Sequence, residues 1–413
     1  MHKFFFVFLL LLTGCASQEN NNRLANQLQQ DSPENILSIL QESEPDTGDR
    51  VQYYLNLGYL QLLSGQFTTA IESLSTAQKE MQVLAATSVT ENIGAGTVNE
   101  TLRSYSGYPL DRVMVHNMLA LSYLFNQDIE GARVEILQAD IEMKKLASDD
   151  GISGQLASTH LLSAIIYELL DERSNAFISY QLTENSLTKR QIPLPEGLKL
   201  GLLRMSYLMG NDEQYADYSE KFPVLAQQAA NTKDKQVFIM YFDGVVDNKV
   251  ERTVIVPNIS FDQLIRVSVP GYPHQFIPPQ RALISTESEQ ILSHLVDDVN
   301  VDAREDLDKE YPSILALTTT RAVSKYLLVK EAQKQDPLVG ILFNFATILS
   351  EVADLRSWNM LPATIQFGYL KTNSNNVSIS TSQRVSNEVD LTQGKQHVIL
   401  ATSLSDNIFH YQQ

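Results

Sequence analysis

The chain has 413 residues, enough for two or three domains with sizeable cores, and 43% of them are hydrophobic. It carries 49 acidic against 31 basic side chains, a formal net charge of −18, which argues against binding nucleic acid and against contact with anionic lipids without an anchor. Its one cysteine excludes internal disulfides and cysteine-rich metal sites.

The first fifteen residues combine a short basic start with nine consecutive apolar residues, Phe4 to Leu12. This run is shorter than the roughly 20 residues needed to span a bilayer, and it has the length of a signal-peptide core. Leu12-Thr13-Gly14-Cys15 follows and resembles a bacterial lipoprotein signal, which implies cleavage before Cys15 and acylation of that residue. The alternative is an ordinary secretory signal. In a bacterium with two membranes, Ala16 and Ser17, in place of an Asp after the cysteine, favour the outer membrane.

Residues 15–32 are rich in Asn and Gln and contain few apolar side chains. This composition predicts a solvated polar tether between the lipidated cysteine and the folded part of the chain.

A helical domain is predicted for residues 33–233, because small residues recur there with helical spacing. The clearest unit reads Tyr54-x2-Leu57-Gly58, then Gly65-x-Phe67-x2-Ala70-x3-Leu74-x2-Ala77, and it resembles the tetratricopeptide repeat. Equivalent alanines mark three further units at Ala132, Ala176 and Ala216. The resemblance implies a solenoid of helical hairpins whose concave groove suits a protein ligand. The alternative is a generic helical bundle.

An irregular insertion over residues 83–112 accounts for the long step between Ala70 and Ala132, which is 62 residues against a repeat period near 34. Long insertions are typically functional or disordered. We expect Arg103, Tyr105 and Tyr108 either to form a basic and aromatic contact surface or to cap the edge of the solenoid.

The pattern changes in residues 234–413, where β-favouring runs surround two helical segments. This order predicts an α+β domain with a largely antiparallel sheet, so that the fold class of the whole chain is α+β. The predicted strands are 237–242, 252–256, 265–269, 364–369, 377–379 and 397–400, and the predicted helices are 301–335 and 338–355. The apolar run 338–349 is predicted to be a buried core helix rather than a second membrane contact.

Five acidic residues cluster near the start of the first of these helices. They lack the alternating ligand spacing and central glycine of a calcium-binding loop, so we expect a solvated helix start and no metal. The five are Asp297, Asp298, Asp302, Glu305 and Asp306.

The motifs of common catalytic and cofactor sites are missing from the sequence, including the phosphate-binding loop, the dinucleotide fingerprint and the nucleophile elbow. His116 and His160 occupy packing positions of the repeats, which leaves His274 as the loop histidine with a possible ligand role. We therefore predict no catalytic residue and no cofactor.

Several segments are similar to a family of bacterial lipoproteins that has a repeat-type helical front half and no established activity. They include Asp111 to Leu124, Ala132 to Glu135 and Ala353 to Pro362. The resemblance implies partners among cell-envelope proteins, including other lipoproteins. Within the last segment, Arg356 and Trp358 are interpreted either as a partner contact or as a buried indole beside an Arg that pairs with an acid.

The leading hypothesis is a non-catalytic, lipid-anchored scaffold on the outer membrane, facing the periplasm, that docks envelope proteins. The alternative is a hydrolase or transferase acting on an envelope polymer, with its site between the two halves. A third hypothesis is carriage of a lipid or small ligand in the α+β half, which would require an apolar cavity there.

Overall fold

A computed structural model describes residues 13–95, 104–147, 155–229, 234–258, 263–273, 277–335, 352–381 and 387–413. The front half of the described chain is helical. Its helices are α1 (Thr13–Leu28), α2 (Pro33–Gln41), α3 (Arg50–Leu63), α4 (Phe67–Ala95), α5 (Pro109–Phe125), α6 (Ile129–Leu146), α7 (Ala157–Leu169), α8 (Arg173–Lys189), α9 (Glu196–Leu208), α10 (Asp212–Lys221) and α11 (Pro223–Ala229).

The helices from α3 onward pack as consecutive hairpins, which confirms the predicted repeat-like organisation. Close contact within a hairpin needs small residues: a Cβ added at Gly58 of α3 would lie 2.5 Å from the Leu74 side chain of α4. Ala70 and Ala132 are fully buried, as is Ala176. Ala216 of the last hairpin is exposed, in keeping with the weaker repeat pattern there.

The hairpins form two layers that differ in burial. The first helices of the pairs, such as α5 and α7, are buried around almost their whole circumference. The second helices are buried along one face only, and in α6 that face consists of Ala132, Ile136, Ala139 and Met143. We call α3, α5, α7 and α9 the inner helices, and α4, α6, α8 and α10 the outer helices.

The C-terminal half is α+β, as predicted. Its elements are β1 (Lys235–Asp243), β2 (Val250–Asn258), β3 (Gln263–Gly271), β4 (Leu283–Ser285), β5 (Gln290–Leu292), β6 (His294–Asp298), α12 (Val299–Gln335), β7 (Thr364–Thr372), β8 (Asn376–Ser380), β9 (Asn387–Asp390), β10 (Gln396–Thr402) and β11 (Ile408–Gln412). They form a five-stranded sheet in the order β11-β10-β1-β7-β6, a four-stranded sheet in the order β5-β4-β8-β9, and the hairpin β2-β3. The pairing is antiparallel except between β1 and β10.

Strand β1 shows how the layers are joined, because successive side chains of a strand point to opposite faces of its sheet. Phe238, Met240 and Phe242 belong to the core shared with the helices. Val237 and Ile239 belong to a second core, between the five-stranded and four-stranded sheets. The described chain therefore stacks as outer helices, inner helices, five-stranded sheet and four-stranded sheet.

The α+β half covers the face of the inner helices that points away from the outer helices. Each of the four inner helices contacts it. Asn407 Nδ2 donates to Leu63 O of α3 (3.1 Å), and Phe409 packs on Phe125 of α5. Gln413 Nε2 donates to Leu169 O of α7 (2.9 Å), and Arg204 of α9 donates to Tyr369 Oη (3.2 Å). The concave groove that the repeats predict as a partner site is thus occupied by the chain itself.

The expectation of a solvated tether over residues 15–32 is wrong for most of that range. Helix α1 buries Leu24, Ala25 and Leu28, and Asn21 Nδ2 donates to Gln52 Oε1 at 3.1 Å. The helix packs with few apolar residues because Asn21 is buried against Gln52 and the half-buried Asn22 accepts from Asn359 Nδ2 at 3.0 Å.

The insertion over residues 83–112 is less irregular than predicted. Helix α4 continues to Ala95, and α5 begins at Pro109. Residues 96–103 lie outside the described residues, as does most of the predicted helix 338–355. Within the described ranges, no helix is both long and apolar enough to cross a membrane.

Candidate functional site

Trp358 and Arg356 lie inside the junction between the two halves. Trp358 is 1% exposed, and its ring contacts Tyr59 of α3 edge-on. Arg356 pairs with Asp354 at 2.7 Å and with Asp49 at 3.1 Å. Burial alone would lower the pKa of Arg356, but the two carboxylates outweigh it and raise that pKa. Of the two interpretations of this segment, the buried indole with a paired Arg is the one that the geometry supports.

Tyr105 and Tyr108 are also drawn into this junction and do not form an exposed aromatic surface. The Tyr105 hydroxyl donates to the Asp111 carboxylate, and the Tyr108 amide donates to the same carboxylate at 2.9 Å. The Nζ of Lys249 lies 3.5 Å from the centre of the Tyr108 ring. The third residue of the predicted surface, Arg103, lies outside the described residues.

Lys249 is a buried cation that the sequence pattern did not single out. Burial lowers the pKa of Lys249 to about 8, although the carboxylates of Asp354, Asp111 and Asp306 oppose that shift. Its Nζ donates to the carbonyl oxygen of Arg356 at 3.0 Å. Lys249, which directly precedes β2, therefore links that strand to the segment before Trp358.

The acidic cluster is not the solvated helix start that we predicted. Asp297, Asp302 and Asp306 are buried. Asp302 lies 2.6 Å from Arg190 of the helical half. Burial raises the pKa of Asp302, and the neighbouring carboxylate of Asp297 adds to the rise. These side chains face the repeat helices instead of solvent, which the sequence spacing could not reveal.

Two of these carboxylates accept backbone hydrogen bonds at the first turns of inner helices. Asp297 accepts from the amides of Ala157 (3.2 Å) and Ser158 (2.7 Å) at the start of α7. Asp306 accepts from the amide of Leu110 (2.6 Å) at the start of α5. The α+β half thus supplies groups that satisfy the free N–H groups of two repeat helices.

A small cavity lies between these groups at the junction. Asp111, Asp306, Tyr272 and Trp358 are among its lining residues, and its volume is about 10 Å³. That is the volume needed for about one water molecule. The two carboxylates that line this cavity, Asp111 and Asp306, therefore face a space too small for an envelope polymer.

A larger and more apolar cavity opens on the helical half, and we call it the Val83 groove. Its volume is about 310 Å³. Its lining residues are Thr47, Gly48, Arg50, Val51, Lys79, Glu80, Val83, Leu84, Ser104 and Tyr105. Val83 is 62% exposed, and Arg50 and Glu80 pair at 2.7 Å. The groove lies where the insertion begins, and Tyr105 is the predicted site residue that lines it.

A third cavity, of about 260 Å³, lies in the α+β half beside β2, β3 and α12. Arg252 and Arg304 line it together with Tyr272. Arg252 donates to the Tyr272 carbonyl, and Arg304 pairs with Asp247 at 2.5 Å, so both guanidinium groups have partners within the chain. The lining is mixed, because Pro270, Leu307 and Tyr311 lie beside these charged groups, and it differs from the apolar cavity that lipid carriage would require.

The two histidines of the repeats are explained by packing. His116 and His160 are buried, and His116 Nδ1 lies 2.7 Å from Glu135. Burial lowers the pKa of His160 to about 4, so the ring is neutral near pH 7. Among the described residues, no group of three His, Cys, Asp or Glu side chains is placed to hold a metal ion. His274 lies outside them.

Comparison with other proteins gives no family model and no curated protein that matches this chain. Three similar solved structures are the apo form of RapI (16% identity, 48% of this chain and 62% of that chain, TM-score 0.34), a putative kinesin light chain from Podosopora anserina with TPR-like repeats (16%, 52% and 96%, 0.32) and aspartyl phosphate phosphatase F from Bacillus subtilis (11%, 54% and 54%, 0.37). Because these TM-scores are below 0.5, the repeat-like assignment rests on the hairpin geometry described above.

Proposed function

We propose that this chain is a non-catalytic, lipid-anchored scaffold of the bacterial envelope that binds a segment of another envelope protein. The observation that carries this proposal is the Val83 groove. It offers apolar walls from Val51, Val83 and Leu84, on the helical half, in a cavity of about 310 Å³. Its size lies at the lower end of the range for sites that enclose a ligand, and it suits one or two apolar side chains of a partner.

The position of this groove differs from that of a repeat protein that binds ligands in its concave face. The inner helices are covered by the α+β half, so a partner is expected to meet the outer helices and the edge of the first hairpin. Lys79 and the Arg50–Glu80 pair stand at that edge and would supply a polar rim around the apolar walls.

The enzymatic alternative receives less support from the junction. Asp111 and Asp306 both accept backbone N–H bonds there, and the cavity that they line is about the size of one water molecule. Asp306 joins the two halves through Leu110 and Asp111 caps its own helix through Tyr108, which accounts for their burial without a reaction.

Anchoring at Cys15 would hold the folded body close to the membrane. Asn21, six residues further along the chain, is already buried and bonded to Gln52. An outer-membrane lipoprotein with this arrangement would hold its folded part at the periplasmic face of the bilayer, because only a short linker separates the lipidated residue from the first buried one. Several acyl chains on one residue give the durable attachment that a single chain does not.

The anchoring part of the proposal is tested with Cys15→Ser in the full chain. We expect this variant to lose palmitate labelling and to move from the membrane fraction to the soluble fraction. Ser17→Ala, two residues away, is the control and should keep both properties. Unchanged labelling and fractionation of Cys15→Ser would contradict lipidation.

The groove part is tested with Val83→Glu, which places a charge on an apolar wall without disturbing a buried side chain. Crosslinking in cells, followed by mass spectrometry, should recover an envelope protein with the parent chain and lose at least about 90% of it with Val83→Glu, since one buried charge costs about 2 kcal/mol or more of affinity. Gln82→Glu introduces the same charge on the neighbouring exposed residue of α4 and should leave the crosslink intact. Equal recovery with both variants would rule out the groove as the binding site.

A further inference from the structure

Helix α6 carries an exposed aliphatic stripe on the side opposite its buried face. The stripe consists of Val134, Leu137 and Ile141, which are 51%, 42% and 37% exposed. Their spacing of three and four residues places them along one line of the helix surface. The buried face of the same helix is already filled by its contacts with α5 and α7, so the stripe makes no contribution to the core.

Charged side chains of opposite sign end this stripe. Glu130 is exposed one turn before Val134, and Lys144 and Lys145 are exposed one turn after Ile141. Glu130 and Lys144 are each seven residues from Leu137, so both lie two helical turns from the centre of the stripe. A second copy of the helix that runs in the opposite direction therefore places its basic end beside the acidic end of the first. The aliphatic residues of the two stripes then face each other.

We propose that two copies of this chain associate through α6, antiparallel to each other, about a two-fold axis at Leu137. In this arrangement Leu137 meets its own copy on the axis, and Val134 of each chain lies opposite Ile141 of the other. Glu130 of each chain lies opposite Lys144 and Lys145 of the other. An interface with two-fold symmetry requires one self-complementary patch, which the stripe and its end charges provide.

The local ion pairs of these lysines do not prevent this exchange. Lys144 pairs with Asp140 at 2.6 Å and Lys145 with Glu142 at 3.1 Å, both within one turn of the same helix. Exposed pairs of this type contribute less than about 1 kcal/mol, so the long side chains can reach a second partner. The segment from Glu130 to Lys144 is about 21 Å long, and a single helix pair of this length buries less than the roughly 1,600 Å² of a standard stable complex. The dimer is therefore expected to be weak and reversible.

The test uses the full chain with Cys15→Ser as background, so that an introduced cysteine is the only thiol. Leu137→Cys should form a disulfide-linked dimer under mild oxidation, because the axis brings the two thiols together. Ile178→Cys on α8 is the matched control: it is 53% exposed but lies away from the axis, so it should crosslink at least tenfold more slowly.

Charge exchange makes the test specific for the antiparallel pairing. In the Leu137→Cys chain, Glu130→Lys and the pair Lys144→Glu with Lys145→Glu should each slow crosslinking about tenfold, because like charges then meet across the axis. Combining all three charge changes should restore the original rate. The proposal is overturned if Leu137→Cys crosslinks no faster than Ile178→Cys, or if the combined variant stays as slow as the separate ones.

Discussion

At the scale of single residues, Arg356 shows how one side chain holds distant segments together. Its guanidinium bonds Asp354, two residues earlier, and Asp49, which is 307 residues away at the start of α3. It also donates to the carbonyl of Gly48 at 3.0 Å. Because Arg356 is buried, removing it would leave two carboxylates without their compensating charge.

We predict that Arg356→Met lowers the free energy of unfolding by about 3–5 kcal/mol, as expected for breaking a buried ion pair from one side. Urea denaturation followed by circular dichroism measures this loss. Arg50→Met removes an Arg whose pair with Glu80 is partly exposed, and it should cost less than about 1 kcal/mol. Similar losses in the two variants would mean that Arg356 does not connect the halves.

The sequence identifies Arg356 and Trp358 as unusual residues but leaves their role open. A lone Trp beside an Arg fits either a binding surface or a buried network, and the partner Asp49 is too distant in sequence to be assigned. The same limit applies to Tyr105 and Tyr108, whose residue types favour a contact surface while their actual partners, Asp111 and Lys249, place them inside the junction. Residue type predicts chemistry here, whereas burial depends on tertiary contacts.

At the scale of secondary-structure elements, the start of α12 organises the repeat helices through hydrogen bonds. Asp297 at the end of β6 accepts from two amides of α7, and Asp306 on α12 accepts from one amide of α5. The first N–H groups of a helix have no partner within the helix and carry part of its positive dipole, so a carboxylate there is stabilising. The α+β half therefore supplies the hydrogen-bond acceptors that the first turns of α5 and α7 lack.

We predict that Asp297→Ala lowers the free energy of unfolding by about 1–3 kcal/mol, because the buried amides of Ala157 and Ser158 lose their acceptor. Thermal or urea unfolding measures the change. Asp308→Ala, on the exposed side of α12, is the control and should change the free energy of unfolding by less than about 0.5 kcal/mol. If Asp297→Ala matches the control, the carboxylate does not act as a cap.

Elements with a strong periodic pattern could be predicted from the sequence. The β-favouring runs at β1, β2, β3, β7, β8 and β10 and the repeat hairpins are all present in the structure. The short strands β4 and β5 carry too few residues for a period, and β11 ends the chain in a run with mixed polarity. The parallel pairing of β1 with β10 depends on a return of the chain after more than 150 residues, which local patterns do not encode.

At the scale of the whole molecule, the two halves share one hydrophobic core. Buried residues from α1 to α10 belong to the same contiguous cluster as Phe238 of β1, Phe367 of β7 and Leu400 of β10. Removing the α+β half would expose the inner helices along their length. The repeat helices are thus one layer of a single folded unit. The surface that they leave free for partners is on the outer helices and at the Val83 groove.

The most direct test of this shared core follows unfolding in urea with two probes on the same sample. Trp358, the single Trp, reports the junction by its fluorescence, and far-UV circular dichroism reports mainly the helical half. Because the halves are packed as one unit, the two signals should change together, with the same midpoint and the same slope. Loss of the buried Trp358 emission at a urea concentration that leaves the helical signal intact would show that the α+β half separates first. That result would contradict a core shared by the two halves.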